Sequence, residues 1–298
     1  MSQSAGLSAP AAGTASNRAR NVTLGLLTIT YFLSYMDRQI LAILLEEGDL
    51  GDALERLRRA QERLSEAMKN GASDQEIAEL MQELREATGY RLPVSVKLGA
   101  GRVRDDIKIA VKDGFDFVEL DGMQGATGAG SAEVIDFVGI PTLPAIVEAL
   151  EALEEIGRRQ DIQLVLMGGL RDGIDAVKAL CLGADAAAFG TSVLIAGGCI
   201  ACMQCHVGQC VTGIATQDRD HEHRYKPETE ARNIHRFLEG VRWQIAAVTY
   251  ALGYRDVKDL SRDDLVALTP EAAEITGLSF EPDQAYRPVR PAIAQGKV

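Results

Sequence analysis

Apolar and polar positions keep three different rhythms along this chain, and the rhythm changes abruptly twice. Residues 1–21 are rich in Ser, Ala and Gly with no apolar period, which predicts a disordered tail. Residues 22–35 are an almost unbroken apolar run, and after Met36-Asp37-Arg38-Gln39 a second run covers 40–45. Together they predict one apolar helix over 22–46. The Asp37-Arg38 pair inside it is costly in lipid unless it faces a protein interior. Residues 47–89 then become rich in Glu, Arg, Ala and Leu. Leu50, Leu54, Leu57 and Leu64, and later Ile77, Leu80, Met81 and Leu84, recur at helical spacing. Asn70-Gly71 interrupts the run, and Ser73 with Glu76 makes a capping box for a second helix. The expectation for 47–89 is a charged, solvated helical hairpin without a site.

From Tyr90 the rhythm alternates between period two and period 3.6. Strands are predicted at 94–98, 117–120, 164–167 and 186–189, and helices at 105–112, 145–158 and 174–182. Residues 224–268 read as helical, and the Pro-containing tail, 279–298, as irregular. Strands alternating with helices imply a parallel sheet with right-handed crossovers, an α/β fold. About four βα units make half of an eightfold barrel or a small open sheet.

Composition removes some functions. A net charge of −12, a sequence pI near 4.9 and the lack of a basic patch argue against nucleic acid as a partner. An aromatic content of 5% gives no platform for stacking bases.

Candidate chemistry sits at the predicted strand ends. Three in a row carry glycine: Asp121-Gly122, Gly168-Gly169 and Gly190-Thr191. In parallel α/β folds ligands bind beyond the carboxyl ends of strands, and a glycine lets backbone N–H groups approach an anion. The loop from Asp121 to Gly130 holds four glycines and could wrap a carboxylate. Lys97 stands inside a strand, pointing opposite to Val96 and Leu98, where a lysine needs a partner. Directly after Gly190-Thr191 comes Cys199-Ile-Ala-Cys202-Met-Gln-Cys205-His-Val-Gly-Gln-Cys210. Four of the five cysteines in twelve residues suit a soft metal centre, iron–sulfur ahead of zinc, since no second ligand pair is present. Cys181, in an apolar helical run, reads as core, and His221 and His223 as exposed.

With these residues placed, 91–278 resembles the C-terminal half of the flavin-binding domain of glutamate synthase. It is more similar still to the shorter glutamate-synthase-like barrel family, which includes a subunit of N-methylglutamate synthase. The resemblance rests on Pro93-Val-Ser-Val-Lys-Leu98, Asp121-Gly122 with Gly125-Ala-Thr-Gly128, Gly168-Gly169-Leu170, Phe189-Gly190-Thr191, the cysteine run and Gly213-Ile-Ala-Thr-Gln-Asp218. It implies a partial (β/α)8 TIM barrel of about four βα units over 90–278, preceded by the hairpin and the apolar helix. It implies FMN and a 3Fe–4S cluster, with Cys199, Cys205 and Cys210 in the family's C-x5-C-x4-C spacing. Cys202 is additional and leaves a 4Fe–4S cluster open. By the same resemblance Lys97 contacts flavin or substrate, and Gly168, Gly169, Gly190 and Thr191 cradle the FMN phosphate. Gln124, Thr127 and Gly128 line the side of 2-oxoglutarate.

The implied reaction is reduction of 2-iminoglutarate, formed from 2-oxoglutarate and ammonia, to glutamate. Amine transfer of the N-methylglutamate synthase kind is an alternative. The implied partners are subunits that supply ammonia or amine and electrons. Residues 30–44 resemble the first helix of a major facilitator transporter. The implied location is the cytoplasm, with membrane association through 22–45 as the other outcome. The family's first strands would lie upstream of Pro93, where the apolar helix and hairpin stand. This predicts a composite chain joined near 46 and 89, with a half barrel completed by a second copy or a partner. Read that way, an inactive composite and a membrane-anchored electron-transfer protein are the competing functions.

Overall fold

The computed structural model describes residues 59–280, except 61, 65, 68–69, 71–72, 88, 91–92, 126–129, 131 and 217. The predicted apolar helix, the N-terminal tail, Leu50, Leu54, Leu57 and nearly all of the C-terminal tail therefore lie outside the described residues. Among the described residues, no helix is long and apolar enough to cross a membrane. The chain divides into two compact units, one of residues 1–97 with 110–116 and one of 98–109 with 117–298.

In the first unit, α1 (Asp74–Ala87) follows helical residues between 59 and 67. The expected capping box is present: Ser73 N donates to Glu76 Oε2 at 3.4 Å, and Glu76 N to Ser73 Oγ at 3.3 Å. Leu64, Ile77, Leu80, Met81 and Leu84 are buried, as their spacing predicts. Arg63 pairs with Glu83 on the outer face at 2.5 Å. Farther along, the Arg85 guanidinium grips the Asp116 carboxylate with two bonds of 3.0 and 3.1 Å and also donates to Gly114 O at 2.7 Å. Asp116 Oδ2 accepts from Val94 N at 2.6 Å, at the entry to the first strand.

The sheet has the order β1 (Ser95–Gly99), β2 (Phe117–Asp121), β3 (Gln163–Met167), β4 (Ala186–Ala187). The division between units falls within β1 and within α2 (Val103–Lys112). β2 and β3 pair in parallel, Val118 opposite Leu164 and Leu120 opposite Leu166, and β3 and β4 pair in parallel. Strands in chain order mean that each connection steps in the same direction. That is the winding of a barrel segment, whereas a doubly wound sheet reverses direction at its centre. The fold is α/β, as the alternating rhythm predicts.

The second unit buries one face of this sheet. Val118, Leu120, Leu164 and Leu166 are fully buried, beneath α4 (Thr142–Glu155), which supplies Ala145, Ile146, Ala149 and Leu153. Burying each Leu or Ile side chain contributes about 1.5–3 kcal/mol. α5 (Gly173–Leu182) packs on α4 and β4. Asp172 caps α5 by accepting from Ile174 N and Asp175 N, and Gly183, at φ 112°, ends it in the left-handed conformation. α3 (Ala132–Phe137) precedes α4, and α6 (Thr191–Ala196), α7 (Arg219–Glu222), α8 (Pro227–Ala251) and α9 (Pro270–Thr276) follow β4. A satellite core of Val177, Cys181 and Leu260 joins α5 to α8 and the chain beyond it, which explains the burial of Cys181.

Several boundaries differ from expectation. β4 is only two residues long, because alanine gives a strand little to pack, although Ala188 N still donates to Leu166 O at 2.9 Å. α4 starts three residues early, with Pro141 immediately before it, and ends before Gly157, which takes a positive φ of 65°. The helix expected over 224–268 stops at Ala251. Gly253 at φ 91° turns the chain, and two short 3-10 turns follow.

Candidate active site

The carboxyl ends of β2 and β3 are pressed together by missing side chains. A Cβ on Gly168, whose φ is 105°, would stand 2.9 Å from Gly122 N and 3.0 Å from Thr142 Oγ1. A Cβ on Gly122 would overlap the Thr142 side chain, and one on Gly125 the Asp121 carboxylate. Gly122 N donates to Met167 O at 3.0 Å, closing the two strand ends. Gly169, at φ 71°, is covered by the Gln124 side chain, which a Cβ there would meet at 2.6 Å. Gln124 in turn is held by Thr142: the backbone N–H donates to Gln124 Oε1 at 3.2 Å, and Oγ1 lies 2.9 Å from the same atom and 2.7 Å from Gly168 O.

The third strand end is built differently. Nothing lies within 4 Å of where a Gly190 Cβ would be, and both Gly190 and Thr191 are exposed. Ser192 Oγ donates to Leu170 O at 3.0 Å, tying this turn to the one after β3. Gly190 and Thr191 thus leave an unobstructed backbone at a strand end, which fits an incoming phosphate. Gly168 and Gly169 stand where the chain's own loops approach too closely for a side chain.

Beyond α6 the cysteine segment curls on itself. Ala201 (φ 52°) and Met203 (φ 56°) take the left-handed conformation that side chains avoid, and Gly198 and Gly208 add further positive φ. Cys205 opens a 3-10 turn, Cys205–Val207. Its thiol is pushed up by burial and then by its neighbours Cys199, Cys202 and Cys210. Burial also acts to raise Cys210, but hydrogen bonds from Thr212 and the backbone of Ala215, Thr212 and Ile214 outweigh it and bring the thiol down to about 7. The Ala201 N–H points to Cys199 Sγ at 3.4 Å. The donor chemistry suits an iron–sulfur cluster: soft thiols, backbone N–H groups aimed at sulfur, and one thiol poised to ionise. Among the described residues, no group of three or more His, Cys, Asp or Glu is drawn together tightly enough to hold a single metal ion.

The other expected site residues fall as follows. Lys97 is half-buried in β1 and belongs to the first unit. Thr127 and Gly128 lie outside the described residues. His223 is exposed, but His221 is half-buried and its Nδ1 meets Asp218 Oδ2 at 3.0 Å, a correction to its expected exposure. Asp218 caps α7, and that backbone bond to Asp220, with His221 beside it, holds its carboxyl below the usual range. Thr142 and Ser192 were not expected. Pro141-Thr142 could have been read as a helix start, but the partners of Thr142 stand 18 and 26 residues away.

A singly wound parallel sheet with glycine-bearing strand ends and a thiol-rich loop after the last of them defines an α/β protein of the barrel-segment class. Within it, residues 60–255 match the family described as the conserved region in glutamate synthase, and the chain belongs to that family. The match takes in residues 60–89, which the sequence rhythm sets apart from the barrel. The chain is 39% identical over 213 residues to an archaeal-type NADPH glutamate synthase of Dehalococcoides mccartyi, covering 69% of this chain and 42% of that one. It is 39% identical over 219 residues to a glutamate synthase large subunit-like protein of Rhizobium meliloti, covering 68% and 49%. It therefore spans less than half the length of these curated relatives. Among solved structures, the flavin-binding domain of baker's yeast flavocytochrome b2 aligns with a TM-score of 0.43 at 20% identity, covering 68% of this chain and 42% of that one.

Proposed function

We propose that residues 90–278 form the FMN- and iron–sulfur-binding part of a glutamate-synthase-type oxidoreductase acting in the cytoplasm. The reaction is reduction of 2-iminoglutarate, from 2-oxoglutarate and ammonia, to glutamate. The observation that carries this reading is the succession of the open Gly190-Thr191 turn and a loop that places four cysteines within twelve residues. Backbone N–H groups at Gly168, Gly169, Gly190 and Thr191 would hold the FMN phosphate. Cys199, Cys205 and Cys210 would hold a 3Fe–4S cluster, with Cys202 free to complete a four-iron one. FMN, when bound, supplies the hydride. The chain's own work is to bind and orient: Gln124 offers an amide to a substrate carboxylate, and the sequence resemblance assigns Thr127 and Gly128 to the same substrate and Lys97 to flavin or substrate. Enclosing the imine excludes the water that would hydrolyse it. Ammonia and electrons come from partner subunits.

The test is anaerobic reconstitution of the full chain with iron, sulfide and FMN, followed by an absorbance spectrum and quantification of each per chain. The expected result is a yellow-brown protein with about one FMN and three or four irons per chain. Substituting Cys205 and Cys210 with serine should remove the iron. A colourless chain that takes up neither group overturns the reading.

A further inference from the structure

The contacts around Thr142 settle which way the Gln124 amide faces. A backbone N–H can only donate, so the amide atom 3.2 Å from Thr142 N is oxygen, Oε1. The Thr142 hydroxyl has one proton, placed between Gln124 Oε1 at 2.9 Å and Gly168 O at 2.7 Å. Thr142 is the first residue of α4, a fourteen-residue helix with no side-chain cap from Pro141. Oε1 thus accepts one of the amide hydrogens that a helix start leaves unpaired. With the oxygen committed inward, the Nε2 branch of the exposed Gln124 is turned the other way. Thr142 is 5% exposed, so its own polar atoms are spent on these contacts.

We infer that Thr142 is a positioning residue: it locks the Gln124 amide with nitrogen outward, so that the strand-end loop presents a hydrogen-bond donor and selects an anionic carboxylate. This deepens the function proposed above and rests on it for the identity of the ligand, a 2-oxo dicarboxylate. The lock also joins two turns. Gln124 lies across Gly169, and the Thr142 hydroxyl reaches Gly168, so moving the hydroxyl disturbs both strand ends together.

The test is titration of the full chain, in excess FMN, with 2-oxoglutarate by calorimetry, alongside thermal melts. Gln124→Glu keeps an oxygen facing Thr142 N but turns a carboxylate outward. It should weaken 2-oxoglutarate at least about tenfold with no fall in Tm. Thr142→Val should weaken binding about threefold or more, and Thr142→Ser, which restores the hydroxyl, should return it to within about twofold of the parent. A merely structural Thr142 would lower Tm in Thr142→Val and leave 2-oxoglutarate binding by the folded Thr142→Val chain normal. If the parent binds 2-oxoglutarate and Gln124→Glu binds it equally, the positioning role is wrong while the proposed function stands. If Thr142→Ser is as weak as Thr142→Val, the hydroxyl lock is wrong. If the parent binds no 2-oxoglutarate at all, the proposed ligand falls and this inference with it.

Discussion

The two ends of the strands are built from different chemistry. At the amino ends the chain repeats one device. Arg85 grips Asp116, donates to Gly114 O, and Asp116 accepts from Val94 N at the entry to β1. Arg159 grips Asp185, donates to Gly183 O at 2.9 Å, and Asp185 accepts from Leu164 N at 2.7 Å at the entry to β3. In each case a Gly-x-Asp step precedes one strand and serves the entry of another. At the carboxyl ends there is no such repeat. One pair of loops is packed glycine on threonine and glutamine, and the next turn, at Gly190, is left open. The same sheet thus fastens one end with charge and keeps the other end spare, the division of labour expected when ligands bind at the carboxyl ends.

The largest effects should come from filling the packed glycines. Gly168→Ala puts a Cβ 2.9 Å from Gly122 N at a φ of 105°, and should cost about 2–4 kcal/mol, read as a lower midpoint in urea. Next come the clamps. Asp185→Ala removes the carboxylate that Arg159 and the Leu164 N–H share, leaving Arg159 only its carbonyl acceptors, and should cost about 1–3 kcal/mol in the same measurement. Asp116→Ala should cost a similar amount, since the contacts match. Gly190→Ala sharpens the contrast. It meets nothing, so stability should hold or rise by up to about 1 kcal/mol, while FMN affinity, followed by flavin fluorescence, should fall at least about tenfold.

The smallest effect concerns pH. Hydrogen bonding from Arg171 holds the Asp175 carboxyl below its ordinary 3.8, with burial opposing. A carboxyl lowered in the fold contributes stability above its unfolded pKa and loses it as pH falls through the folded one. Arg171 is 78% exposed, so the contribution is at most about 1 kcal/mol. Asp175→Asn should therefore melt slightly lower than the parent at pH 7, and the gap should close as pH falls below 3.8.

The sheet was readable from sequence because Val118, Leu120, Leu164 and Leu166 alternate within short runs between helical periods; burial follows that alternation in β3, whereas in β2 the intervening Glu119 is buried as well. The cysteine loop was readable because its residue type is rare and its spacing tight. β4 was overextended because its alanines satisfy a strand pattern without supplying packing. The clamps were invisible because Arg85 and Arg159 meet partners 31 and 26 residues away, at a distance no local pattern spans. Thr142 was missed for the same reason, and it also looks like an ordinary helix start. The open Gly190 and the filled Gly169 look alike in sequence. The Gln124 side chain over Gly169, and the positive φ of Gly169 against −111° at Gly190, distinguish them.

One paired measurement bears most directly on the division between the strand ends: urea midpoints and FMN dissociation constants for Asp185→Ala and Gly190→Ala in the full chain. The expected outcome is a double separation, with Asp185→Ala losing stability but binding FMN normally once folded, and Gly190→Ala keeping stability while FMN binding collapses. If Gly190→Ala binds FMN as the parent does, or if both variants lose stability and flavin together, the carboxyl end is not a dedicated cofactor site.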